Sequence, residues 1–141
     1  MTIPSPKGRG SRVAYLIDTN VAIHLRDGDQ AIMTKVAALD DAVLMSVVTR
    51  VELEGGVYRT PEFASIRRAR LDAILAAVPT LAFDAAAADI YGAIVSLAGY
   101  SRRKLLDRMI AAQALAHRST LVTMNCGDFS DIPDLKLLAW A

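Results

Sequence analysis

Apolar positions along this chain alternate between two kinds of run. VAYLI (13–17) is continuous and of strand length, whereas VAIHL (21–25) and AIMTKVAAL (31–39) carry apolar residues at helical spacing. AVLMSV (42–47) reads as a second strand and TRVELEGGVYR (49–59) as a helix, completing a βαβ unit. EFASIRRARLDAILAAV (62–78) is a longer amphipathic helix, stopped by Pro79 ahead of a short TLAF strand (80–83). A helix over 85–97 follows, and Gly99 and Tyr100 break the pattern before the helix KLLDRMIAAQALAHR (104–118). STLVTM (119–124) reads as a strand and LKLLAW (135–140) as a last, edge strand. Strands alternating with helices predict an α/β fold: a central parallel sheet covered by helices on both faces, with right-handed crossovers.

Residues 1–12 carry Pro, Gly and polar residues without periodicity, so they read as a flexible leader to a domain spanning 13–141. At 141 residues and 53% hydrophobic, the chain suits a single domain with a substantial core. No apolar run reaches the roughly 20 residues of a membrane span, and the leader lacks a signal peptide's apolar centre, so a cytoplasmic location is expected. Cys126 is the only cysteine, which excludes an intrachain disulfide.

In open α/β sheets, ligands bind beyond the carboxyl ends of the strands. Four acids are expected at that edge. Asp18 follows VAYLI, Glu52 comes shortly after AVLMSV, Asp107 opens a helix, and Asp128 follows STLVTM within TMNCGDF. Each has an ordinary alternative. Asp18 can cap a helix, Thr49 and Glu52 spell a T-x-x-E capping box, Asp107 suits a helix dipole, and Asp128 suits a turn. Caps, however, have no reason to converge from four separate segments on one edge of one sheet. Carboxylates within about 4 to 6 Å repel and raise one another's pKa values, so a cluster kept ionised calls for a cation.

All-oxygen ligation selects Mg²⁺ or Mn²⁺, and neither His24 nor His117 stands in a zinc-like spacing. A hard cation among carboxylates supports attack of an activated water on a phosphodiester. Net charge is only +1, so an RNA substrate would need local basic groups around the acids. Arg67, Arg68, Arg70, Arg102, Arg103 and Arg108 are the candidates for that rim.

LIDTNVAIHL, SVVTRVELEGG, LLDRMIAAQALAH and LVTMNCGDF, in that order, resemble the PIN-domain ribonucleases, specifically the VapC-type toxins of toxin–antitoxin modules. The resemblance spans about 13–140. It implies a three-layer α/β/α sandwich, a Mg²⁺- or Mn²⁺-dependent endoribonuclease, a cognate VapB-type antitoxin and a homodimer. Asp18, Glu52, Asp107 and Asp128 fall on the family's acidic positions and would bind the metal and its water. Asn20, Ser46 and Thr123 fall on or near its supporting polar positions. Many relatives place an aspartate two residues after the strand-ending threonine, where this chain has Asn125 and carries its acid at Asp128 instead. Either side chain could therefore complete the site. The resemblance also implies that the helices over 62–77 and from Ala85 form a projecting lobe for the antitoxin.

Two other functions compete. A catalytically silent PIN-like module would keep the fold for RNA or protein contacts, but retention of all four acids argues against it. A phosphotransfer receiver also gathers acids at strand ends, but it needs a lysine after a later strand, and none follows STLVTM at a suitable place.

Overall fold

Leu16 and Ile17 are neighbours in the first strand and both are fully buried, because successive strand residues point to opposite faces and both faces are covered. The computed structural model describes residues 14–140, so the expected leader over 1–12 lies outside the described residues. Five strands, β1 (Tyr15–Ile17), β2 (Val43–Ser46), β3 (Thr80–Leu81), β4 (Thr120–Thr123) and β5 (Leu137–Ala139), form one sheet in the order β3-β2-β1-β4-β5. Every pairing is parallel, and β5 occupies an edge as expected.

Six α-helices connect them: α1 (Thr19–Arg26), α2 (Gln30–Ala37), α3 (Val47–Arg59), α4 (Ala64–Ala77), α5 (Ala85–Ala98) and α6 (Leu105–Ala116). On one face Ile17, Met45 and Val122 pack with Val21 of α1, Ile32 of α2, Leu53 of α3 and Leu71 and Ile74 of α4. On the other, Leu16 and Leu121 pack with Ile94 of α5 and Ile110, Ala111 and Ala114 of α6. The result is the three-layer α/β/α sandwich. It also corrects one expectation: α4 and α5 belong to opposite layers and do not form one lobe.

Two boundaries differ from the sequence reading for local reasons. The helix expected from Thr49 begins at Val47, because Ser46 is its N-cap and its Oγ accepts the Val48 amide at 2.9 Å. The helix expected from Glu62 begins as a 3-10 turn over Pro61–Phe63, with α4 proper starting at Ala64. Its end at Ala77 agrees with the restriction that Pro79 places on Val78, whose ψ is 116°.

The chain runs from β1 outward through β2 to β3, then crosses back to set β4 on the other side of β1. The chain therefore leaves β1 through α1 toward one layer and leaves β4 through a 3-10 turn (Cys126–Phe129) toward the other, and a crevice opens beyond the carboxyl ends of these two strands. The backbone confirms their closeness there: the Asp18 amide donates to the Val122 carbonyl at 3.0 Å.

Ser46 and Gln113, both fully buried, tie the layers together on the other side of β1. The Ser46 hydroxyl donates to Gln113 Oε1, while Gln113 Nε2 donates to the Leu81 and Ala82 carbonyls, each at 3.1 Å. Gln113→Leu keeps the volume but strands these groups, and is expected to lower stability by about 2 to 3 kcal/mol in chemical denaturation. A loss below about 0.5 kcal/mol would show that the network holds nothing together.

Candidate active site

Asp18 is the last residue before α1 and is 5% exposed. Its Oδ1 accepts the Val21 amide at 3.0 Å, so it is a helix cap, and it also lines the cleft at the switch point. Burial pushes its carboxyl pKa up, against hydrogen bonds from the Thr123 hydroxyl and the Val21 and Asn20 amides, with the charge of Asp128 raising it further. The two readings of Asp18 are thus compatible: capping engages one oxygen and fixes where the carboxylate faces.

The other three acids line the same cleft of about 490 Å³. Asp107 stands in the first turn of α6, and burial, followed by the charges of Asp128, Asp18 and Glu52, pushes its pKa up to about 6. Glu52 projects from α3 and its Oε1 accepts from the Thr19 hydroxyl at 2.9 Å. The capping-box reading of Glu52 fails because Thr49 lies inside the helix rather than at its start. Asp128 sits in a 3-10 turn over Cys126–Phe129, its Oδ2 accepting from Asn125 Nδ2 at 2.9 Å.

The supporting polar residues divide. Asn20 lines the cleft. Thr123 is fully buried beneath it, donating to Asp18 and accepting the Asn125 amide at 3.0 Å. Asn125 reaches the site through Asp128, whereas Ser46 is occupied by its cap and by Gln113. The hydroxyls of Thr19 and Thr49 lie 2.9 Å apart; the sequence reading assigns neither to the site and gives Thr49 only a capping role. For Thr49 the signal is the T-x-x-E spacing itself, which places it and Glu52 on one helix face.

Of the six arginines, Arg102 and Arg103 line the cleft. The rest are engaged elsewhere. Arg68 pairs with Glu54 and Asp72, Arg67 donates to the Gly56 carbonyl at 3.0 Å, and Arg70 donates to the Asp27 carbonyl at 3.0 Å. Arg108 is 2% exposed and pairs with Asp131 at 3.0 Å, so it braces the fold and cannot join the rim. His24 faces Asp29 at 3.4 Å.

A site holding four carboxylates and no soft donor fits a hard divalent cation in charge and in chemistry. Among the described residues, no three His, Cys, Asp or Glu side chains already stand at metal-ligand spacing. Glu52 uses Oε1 to accept from Thr19 and Asp128 uses Oδ2 to accept from Asn125, which leaves Oε2 of Glu52 and Oδ1 of Asp128 as the oxygens they would offer a cation.

Comparison with known proteins gives a consistent result. The PIN domain family model matches residues 15–135. Ribonuclease VapC2 of Rickettsia felis is 27% identical over 133 residues, covering 89% of this chain and 97% of that protein. Among solved structures, VapBC2 of Rickettsia felis bound to a promoter DNA fragment superposes with a TM-score of 0.80 at 24% identity, over 92% of this chain and all of the matched chain. VapBC-1 of nontypeable Haemophilus influenzae gives 0.73 at 26% identity, over 91% and 98%.

The crowding of acids has a consequence for stability. In the absence of divalent cations, Asp107 keeps its proton up to about pH 6, well above the roughly 3.9 of an unfolded chain. Its contribution is therefore complete below pH 4 and is lost as pH rises through 6. Asp107→Asn, neutral at every pH, is expected to melt with the wild type near pH 4 and above it at pH 7 in EDTA. Melting curves that stay parallel across this range would remove Asp107 from the repulsive cluster.

Proposed function

The chain belongs to the PIN domain family, and from that membership we propose that it is a ribonuclease toxin of a toxin–antitoxin module, cutting RNA with Mg²⁺ or Mn²⁺. One observation carries this reading: acids from four separate segments line a single cleft at the sheet's switch point.

Asp18 and Asp107, with Glu52 and Asp128, would hold the cation. When bound, it supplies Lewis acidity, lowering the pKa of a water and offsetting charge on the phosphoryl oxygens. Asp107 gives up its carboxyl proton as the site loads, so loading weakens below about pH 6. Asp18 is already held by the Val21 amide and Thr123 and contributes a fixed oxygen. Arg102 and Arg103 supply the positive charge that lets a polyanion approach an acidic cleft. Asn20 offers a neutral amide at the same wall.

The partner surfaces belong to the same reading. A groove of about 340 Å³ between α1, α2 and α4, lined by Leu25, Met33, Val36, Ala73 and Ile74, supports docking of an apolar segment from a VapB-type antitoxin. Val51 and Tyr58, large and exposed on α3, support a homodimer contact. Among the described residues, no helix is long and apolar enough to cross a membrane.

Purified protein, cleared of contaminating nuclease, is expected to cleave RNA with Mg²⁺ or Mn²⁺ and not with EDTA. Asp18→Asn or Asp107→Asn should lower the rate at least about a hundredfold. Uncut RNA with either metal would instead leave a silent binding module. Arg102→Ala and Arg103→Ala should each flatten the dependence of log affinity on log salt by about 0.7. An unchanged salt slope would take these arginines off the RNA path.

A further inference from the structure

The Thr19 hydroxyl stands 2.9 Å from Glu52 Oε1 and 2.9 Å from Thr49 Oγ1. Thr19 has one hydroxyl proton, and an ionised carboxylate can only accept. The proton therefore points to Glu52, and the second bond must run the other way, with Thr49 donating to Thr19. This makes a directed relay, Thr49 to Thr19 to Glu52, in which each bond polarises the next.

Its two ends differ in freedom. Thr49 is fully buried in α3 and its β-branched side chain has few rotamers, so it is a fixed anchor. Glu52 is exposed, with several rotatable bonds, and nothing about its place on α3 alone would hold its carboxylate in one direction. Thr19 bridges them from the first residue of α1, directly after Asp18. The relay thus joins the helix that follows β1 to the helix that follows β2, and ties the direction of one cleft acid to the backbone that carries another.

We propose that Thr49 is a positioning residue: acting through Thr19, it fixes the direction of the Glu52 carboxylate and so sets the affinity of the cleft for its cation. The effect on affinity rests on reading the cleft as a cation site; the effect on Glu52 does not. Thr49→Val keeps the shape of the buried side chain but removes the donor. Thr19 then loses its reference, and Glu52 is free to turn to solvent. Thr49→Ser keeps the donor.

The test has two readouts on Thr49→Val, Thr49→Ser, Thr19→Val and the double Thr19→Val/Thr49→Val variant. Three-bond NMR couplings of Glu52, recorded without divalent cations, report whether its side chain holds one rotamer. Mn²⁺ titration calorimetry reports affinity. Glu52 should hold one rotamer in the wild type and Thr49→Ser and average in the other three. Mn²⁺ binding should weaken about tenfold in Thr49→Val, remain within about twofold of wild type in Thr49→Ser, and be no weaker in the double variant than in Thr19→Val. Unchanged Glu52 couplings in Thr49→Val, or a further loss when Thr49→Val is added to Thr19→Val, would overturn the relay. If couplings average as expected while the wild type binds no Mn²⁺, the positioning of Glu52 stands and the cation reading fails.

Discussion

Four carboxylates facing one cleft repel one another, and much of this structure can be understood as the means of holding them there. The strain falls most heavily on Asp107, which has burial and three acidic neighbours pushing its pKa up to about 6, with only Lys104 opposing. Asp18 is more deeply buried but is compensated by donors: the Val21 and Asn20 amides and the Thr123 hydroxyl. Asp18 is thus the firm member of the cluster and Asp107 the responsive one. A protein gains no stability from such an arrangement unless something positive enters it, and sites of this kind commonly trade stability for function.

The scaffold meets that demand with parallel-sheet topology. Setting β4 beside β1 brings the ends of two strands together, and the Asp18 to Val122 backbone bond fixes their relative position. α1, α3 and α6 then deliver Asp18, Glu52 and Asp107 to the crevice, while the turn after β4 delivers Asp128. Basic residues are divided by task. Arg108, one residue after Asp107, braces Asp131 and the Gly99 carbonyl from a buried position, whereas Arg102 and Arg103 face the cleft. Brace and rim come from neighbouring residues on the same short segment.

The layers and strands were legible from sequence because each is written in a local pattern. VAYLI is a continuous apolar run and STLVTM carries the adjacent buried pair Leu121 and Val122 because both faces of the sheet are covered, and LKLLAW, as its position predicts, forms an edge strand. The meeting of the four acids could be anticipated because strand ends share an edge in any parallel sheet. Partners across space were not legible. Nothing local distinguishes Arg108, committed to Asp131, from Arg103 five residues earlier, which faces the cleft. The T-x-x-E run favoured a capping box, and only the position of Ser46 shows that the helix had already begun. Likewise the resemblance groups α4 and α5 in one lobe, although the crossing at β3 sends them to opposite layers.

The central claim is that the convergent acids form a cation site. It is tested most directly by anomalous diffraction from crystals soaked in Mn²⁺ at pH 7.5, above the value of about 6 to which the Asp107 pKa is pushed. The account predicts a manganese peak within direct coordination distance, about 2.2 Å, of carboxylate oxygens of both Asp18 and Asp107. Saturating Mn²⁺ that leaves this cleft without a peak, or that binds elsewhere on the surface, would contradict it.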